Sequence, residues 1–220
     1  MVWGKAGSTT LGSSSMTIDS GTITSSKCNQ ILNHTLATSN IENSIRLGNS
    51  SIDSGNNYAH RRANNGGSDS LTVNTNRIQT GKTDPVDQFD VVYAVNIATE
   101  EKLAISHNCT RMTAGNNAPE RVESVGKWTN TSSQFDKVQS YEGGGVANFL
   151  SGSNLTVLGS EITPVAAITF APNAQVGSRA EITDTRKIYY RDDISFKELG
   201  TLPVNYRKDT WYEQLTGETP

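Results

Sequence analysis

The chain is poor in several things at once. It has two cysteines, Cys28 and Cys109, which excludes the disulfide framework of a small secreted domain and predicts free or buried thiols. Its longest apolar stretch, Val91 to Val95, is five residues long, far short of the ~20 that a membrane span requires. Met1-Val2-Trp3-Gly4-Lys5 lacks the apolar core of a secretory signal, which predicts folding in the cytoplasm where the chain is made. Charge is sparse and nearly balanced: 19 Lys and Arg against 22 Asp and Glu give a net −3 and a pI near 5.6. A dedicated nucleic-acid binder needs a basic footprint, and none is present. Arg61-Arg62 reads as a solvated strand or loop end. Aliphatics are scarce too, with Leu, Ile, Val and Phe making up 45 of 220 residues. That is the edge of the disordered range, but disorder also requires a high net charge.

Small polar residues fill the gap. There are 24 Ser, 25 Thr, 20 Asn and 19 Gly, two-fifths of the chain. They fall between short runs rich in Val, Ile, Thr and Tyr, which is β-type punctuation. The runs predict strands at Met16–Thr24, Asn29–Leu36, Tyr58–Arg62, Ser70–Gln79, Phe89–Ala98, Lys102–His107, Arg121–Trp128, Gln134–Ser140 and Asn154–Gly159. Thr99–Lys102 reads as the tip of a hairpin, and Asn49–Asn57, Asn64–Ser70 and Gly143–Gly145 as turns. No segment carries a helical period. The expected fold is all-β, an antiparallel sandwich or jelly roll over residues 1–161. Residues 162–178, with Pro164 and Pro172, read as a linker. Residues 179–220 read as an extended arm, with a hairpin formed by Arg186–Arg191 and Ile194–Glu198 around Asp192-Asp193. The arm is dense in aromatics, and Tyr189, Tyr190, Tyr206, Trp211 and Tyr212, with Arg207, are its candidate partner-binding residues.

Chemistry-bearing patterns are weak. Thr80-Gly81-Lys82-Thr83 ends like a phosphate loop, but Asn76 stands where the motif needs glycine. His34, His60 and His107 have no metal-ligand spacing. Asp53-Ser54-Gly55-Asn56 could offer oxygens to calcium, but Asn64 occupies the twelfth position where an EF-hand has glutamate. Glu100-Glu101 and Asp192-Asp193 are adjacent and point to opposite faces of a strand, unlike a general acid and base pair. Trp128, Tyr58 and the arm's aromatics could stack on sugars, or could equally be core. Sequons at Asn33, Asn49, Asn108, Asn130 and Asn154 are frequent enough to arise by chance. No catalytic residue, metal ligand or cofactor site is assigned.

A set of segments is distinctive together. Trp3-Gly4-Lys5-Ala6-Gly7-Ser8-Thr9-Thr10-Leu11 precedes Thr17-Ile18-Asp19-Ser20. Asp53-Ser54-Gly55-Asn56-Asn57-Tyr58-Ala59 and Asn64-Asn65-Gly66-Gly67 follow. Then come Asn96-Ile97-Ala98-Thr99-Glu100-Glu101-Lys102-Leu103, Val125-Gly126-Lys127-Trp128 with Asn130-Thr131-Ser132, and Gly152-Ser153-Asn154-Leu155-Thr156-Val157-Leu158-Gly159. Over residues 1–160 this resembles small β-rich structural proteins of tailed phages, especially marine ones. Thr183–Tyr190 is similar to a short module appended to phage virion proteins. The resemblance implies a non-enzymatic virion protein made in the host cytoplasm. It would decorate the phage head as a cement or head-fibre subunit, with tail-fibre, receptor-binding or carbohydrate-binding roles as alternatives. Implied partners are the major capsid protein or other virion subunits and further copies of the chain, as dimer or trimer. A host-surface glycan is a further candidate; nucleic acid and membrane insertion are not expected.

Overall fold

A computed structural model describes residues 3–111, 118–145, 147–160, 179–182, 187–191 and 196–201. The chain divides into two units, Met1–Pro164 and Val165–Pro220.

The first unit is all-β and sandwich-like. Its strands are β1 (Trp3–Thr10), β2 (Thr17–Asp19), β3 (Cys28–Thr35), β4 (Ile41–Asn49), β5 (Ser51–Ile52), β6 (Tyr58–Asn64) and β7 (Ser70–Thr75). They continue with β8 (Ile78–Asp84), β9 (Gln88–Val95), β10 (Lys102–Thr110), β11 (Glu120–Trp128), β12 (Lys137–Glu142) and β13 (Asn154–Ser160). One sheet has eight strands in the order β1-β13-β3-β9-β10-β11-β6-β7. The other has five, β2-β12-β4-β5 with β8 on β4. All pairings are antiparallel, and the described residues contain no helix.

Apolar residues at alternate positions fill the space between the sheets, as the two-residue strand period requires. Ile31, Val92, Leu155 and Val157 come from the large sheet, and Ile18, Ile41, Ile45, Leu47 and Val138 from the small one; all are 0% exposed. Each such side chain stabilises the fold by about 1.5–3 kcal/mol. The Asn64–Ser70 turn forms as expected. Asn65 and Gly66 both have positive φ (51° and 75°), and the Gly67 amide donates to the Asn64 carbonyl at 2.8 Å. Asparagine and glycine tolerate that backbone, and the twist of a tight hairpin turn demands it.

Several strand boundaries differ from expectation. Ser70–Gln79 is not one strand: β7 and β8 belong to different sheets, and the chain crosses between them at Asn76-Arg77, where the Arg46 guanidinium donates to the Asn76 carbonyl (3.0 Å) and Arg77 pairs with Glu42 (2.8 Å). β1 and β4 were not expected. β1 is Gly-, Ser- and Thr-rich and is an edge strand, which needs little apolar character. β4 is buried along nearly its whole length, so its residues do not alternate. The Asn49–Asn57 segment is not all turn, because Ser51-Ile52 folds back onto β4. Met16–Thr24 contributes only Thr17–Asp19.

In the second unit, β14 (Arg179–Ile182), β15 (Lys187–Arg191) and β16 (Phe196–Thr201) pair antiparallel in that order. Residues 162–178, Tyr206, Arg207, Trp211 and Tyr212 lie outside the described residues. Tyr189 and Tyr190 stand on β15, opposite Glu198 and Lys197.

Candidate functional site

The two aromatics of the first unit that were candidate sugar platforms are core residues. Tyr58 and Trp128 are 1% and 2% exposed and stack with centroids 6.5 Å apart. The Tyr58 hydroxyl shares its single proton between the Leu47 and Asp53 carbonyls (2.8 and 2.9 Å) and accepts from the Leu47 amide (3.0 Å). Burial pushes its pKa above the usual tyrosine value. Neither ring can meet a sugar.

The calcium reading of Asp53 is likewise replaced. Its Oδ1 accepts the Gly55 amide (2.8 Å), and its Oδ2 accepts Asn57 Nδ2 (2.9 Å) and Trp128 Nε1 (2.7 Å). Burial opposes ionisation, but these hydrogen bonds outweigh it and hold the carboxyl below its usual pKa. The loop is an Asx-type turn that anchors Trp128. Lys102, expected in a hairpin tip, closes that tip from within. Its Nζ donates to the carbonyls of Ala98, Glu100 and Asn130 (3.2, 2.6 and 2.7 Å), and burial lowers its pKa.

Gly81-Lys82-Thr83 is no phosphate loop; it lies in β8. Gly81 is glycine because a Cβ there would collide with Gln88 Oε1 and Asn43 Cβ. Those residues belong to a buried polar layer between the sheets that the sequence reading missed. Asp90, 0% exposed, accepts Asn33 Nδ2 (3.0 Å), Asn43 Nδ2 (2.7 Å) and Asn108 Nδ2 (2.7 Å). Asn108 also reaches Gln88 Oε1, while the Gln88 amide donates to the Lys82 carbonyl. Thr35 and Asn43 exchange hydrogen bonds, and Thr110 donates to Asn108. Desolvation raises the Asp90 pKa against the pull of the amides. Two sequon asparagines, Asn33 and Asn108, are thus inside the fold and closed to glycosylation. Cys28 and Cys109 are free thiols.

The buried polar layer has an apolar counterpart on the outside of the large sheet. Strands β9 and β10 alternate strictly, but with Gln88, Asp90, Lys102, Ser106 and Asn108 inside. Phe89, Tyr93, Val95, Leu103 and Ile105 face outward, and Leu103 and Ile105 are 56% and 53% exposed. Ile105 stands opposite Tyr93 on β9 and Val125 on β11. Val125 is opposite Arg61, and Arg61 opposite Leu71. Tyr93, Ile105 and Val125 thus form a continuous apolar row across three strands, with Arg61 between it and Leu71. Shallow depressions flank Leu103 and Ile105, one with Leu71 and Val125 in its wall and the other with Trp3, Cys28 and Val95. The rim is charged and internally paired: Lys127 with Glu101 (2.8 Å), Arg121 with Glu123 (3.7 Å), Arg61 with Asp69 (3.7 Å). Contiguous exposed apolar surface of this extent marks an interaction site. Its signal was present in the sequence as Phe89/Val91/Tyr93/Val95 and Leu103/Ile105 at period two.

Among the described residues, no group of three or more His, Cys, Asp or Glu could hold a metal ion, and no helix is long and apolar enough to cross a membrane. Comparison with family models, with curated proteins and with solved structures gives no match.

Proposed function

We propose that the chain is a non-enzymatic structural protein of a phage particle, a cement or head-fibre subunit that decorates the capsid. The observation that carries this reading is the apolar outer face of the eight-stranded sheet, an assembly surface on an otherwise polar β unit. The buried ionisable groups add support, because Asp90 and Lys102 commit their polar atoms to internal hydrogen bonds. The non-local pairings of β1 with β13 and β2 with β12 support a jelly-roll-like sandwich. The pairing of Lys187–Arg191 with Phe196–Thr201 supports a hairpin in the C-terminal arm, where Tyr189, Tyr190, Tyr206, Arg207, Trp211 and Tyr212 would meet other virion subunits. A glycan-binding role now has fewer candidate aromatics, since Tyr58 and Trp128 are enclosed.

Quantitative mass spectrometry of particles purified from the encoding phage is the test. A head-decorating subunit is present in hundreds of copies; a few tens point to a fibre, and absence from the particle refutes the reading.

A further inference from the structure

We infer that the outer face of the eight-stranded sheet is covered by the same face of a second copy, forming a two-fold dimer. The inference rests on reading this face as an assembly surface; it adds the partner and the axis.

The polarity of β9 and β10 makes the case for a cover. A strand with one face in water places its polar residues outward. Here Asp90, Ser106 and Asn108 are inside, while Tyr93, Leu103 and Ile105 are outside. Val92, Ala94 and Ala104 share the inner face with these polar groups, but the outer positions still carry Phe89, Tyr93, Leu103 and Ile105, large apolar side chains that a cover would take out of water. A third layer packed on it at the usual ~10 Å sheet spacing would bury it.

The charges identify that layer as a second copy. Along β11 the outward side chains are Arg121, Glu123, Val125 and Lys127. A two-fold axis along the Tyr93–Ile105–Val125 row lays each of these three against its own mate. Residues two positions to one side of the row then meet residues two positions to the other side. Lys127 therefore faces Glu123 of the second copy, and Glu123 faces its Lys127. With the pairs inside each chain, this builds Glu101–Lys127–Glu123–Arg121 twice, with acid and base alternating throughout. The same operation sets Val95 against Val91, Cys28 against Leu32, Ala59 against Ala63 and, on β10, Leu103 against His107. Arg61 lies on the row and nears its own mate, but each copy carries Asp69 as counter-ion. Such matching of a patch with itself is what an isologous interface requires. The eight strands, about 4.8 Å apart with about four outward positions each, span roughly 700 Å² in plan, close to the ~800 Å² per partner of a standard interface.

Sedimentation velocity of the full chain tests this. Wild type should sediment with twice the chain mass of 23.7 kDa. Ile105→Glu puts two carboxylates on the axis and should weaken dimerisation by roughly 100-fold or more, with an unchanged far-UV spectrum. Glu123→Lys and Lys127→Glu should each weaken the dimer about 10-fold, and the double exchange should bind more tightly than either single, short of wild type because it sets like charges at Glu101 and Arg121 within each copy. A wild-type monomer at all concentrations overturns the inference, as does a dimer indifferent to Ile105→Glu or a double exchange no better than the singles. A monomer that is still incorporated into particles overturns the dimer alone. A dimer missing from particles overturns the particle role alone.

Discussion

The two faces of the eight-stranded sheet differ in the direction opposite to that of an isolated sandwich. Over β9 and β10, the face turned to the small sheet presents Gln88, Asp90, Ser106 and Asn108 alongside Val92, Ala94 and Ala104, and the face turned outward presents Phe89, Tyr93, Leu103 and Ile105. Inside, Gln88, Asp90 and Asn108 are joined by hydrogen bonds, while Ser106 Oγ has no hydrogen-bond partner among the described residues. Outside, apolar groups are left without a cover. A hydrogen-bond network has a direction and a register, so the inner layer fixes how the sheets align. Apolar contact is non-directional and proportional to area, so the outer layer can wait for a partner. In the proposed dimer, stability and assembly are thereby assigned to opposite faces of the same strands.

Breaking the inner layer should have the largest effect. Asp90→Ala removes the acceptor of three buried asparagine amides, of which Asn43 and Asn108 keep Thr35 and Gln88 and Asn33 keeps none among the described residues, and should cost about 3–5 kcal/mol, measured by urea denaturation. Asp90→Asn keeps the volume and removes the charge, so its cost should be smaller. Next comes the apolar end of the core. Trp128→Phe keeps most of the ring contact but removes the donor to Asp53 Oδ2, and should cost about 1–3 kcal/mol.

The contrast between the faces also explains what could be read from the sequence. The all-β class, the hairpin tip at Thr99–Lys102 and the Asn65-Gly66 turn follow from local chemistry, and all were legible. Two-residue periodicity locates a strand but does not say which face is inside. Applied to β10, the usual assignment would have put Leu103 and Ile105 in the core. Tyr58 and Trp128 looked equally suited to ligand and core because Asp53, which holds both, is 5 residues from Tyr58 but 75 from Trp128, so only the fold brings the two rings together. Asp90 carried no signal at all, since its asparagines come from β3, β4 and β10. β1 was invisible because its Gly-, Ser- and Thr-rich edge relies on Leu155 and Val157 of β13 for apolar character.

A pH dependence sharpens the inner side of the comparison. His60 is 5% exposed, with, among the described residues, only a backbone contact at Arg77 that favours its charged form. Burial, then the Arg62 charge, push its pKa from 6.5 down to about 4. The native state thus binds fewer protons here than the unfolded chain. The resulting stability is present above pH 6.5 and lost as pH falls through about 4. Asp90 has the opposite sign: its raised pKa makes the native state bind more protons, a contribution present at low pH and lost as pH rises through the native value. Urea midpoints against pH should therefore fall less steeply on acidification in His60→Leu than in wild type. An unchanged slope would mean that His60 is not neutral and buried.

The smallest expected effect on folding belongs to the outer face. Leu103 is 56% exposed and contributes little to the fold of one copy. Leu103→Ser should change the stability of the monomer, measured at concentrations where the dimer has dissociated, by no more than about 0.5 kcal/mol. The same substitution removes apolar area from the face, so at high concentration it should lower stability further, by the share that dimerisation adds through mass action. The diagnostic is this dependence on concentration: Asp90→Ala should cost the same at every concentration, and Leu103→Ser should not. A Leu103→Ser chain destabilised by several kcal/mol even when monomeric would mean that Leu103 packs within its own copy, and the contrast between the two faces would disappear.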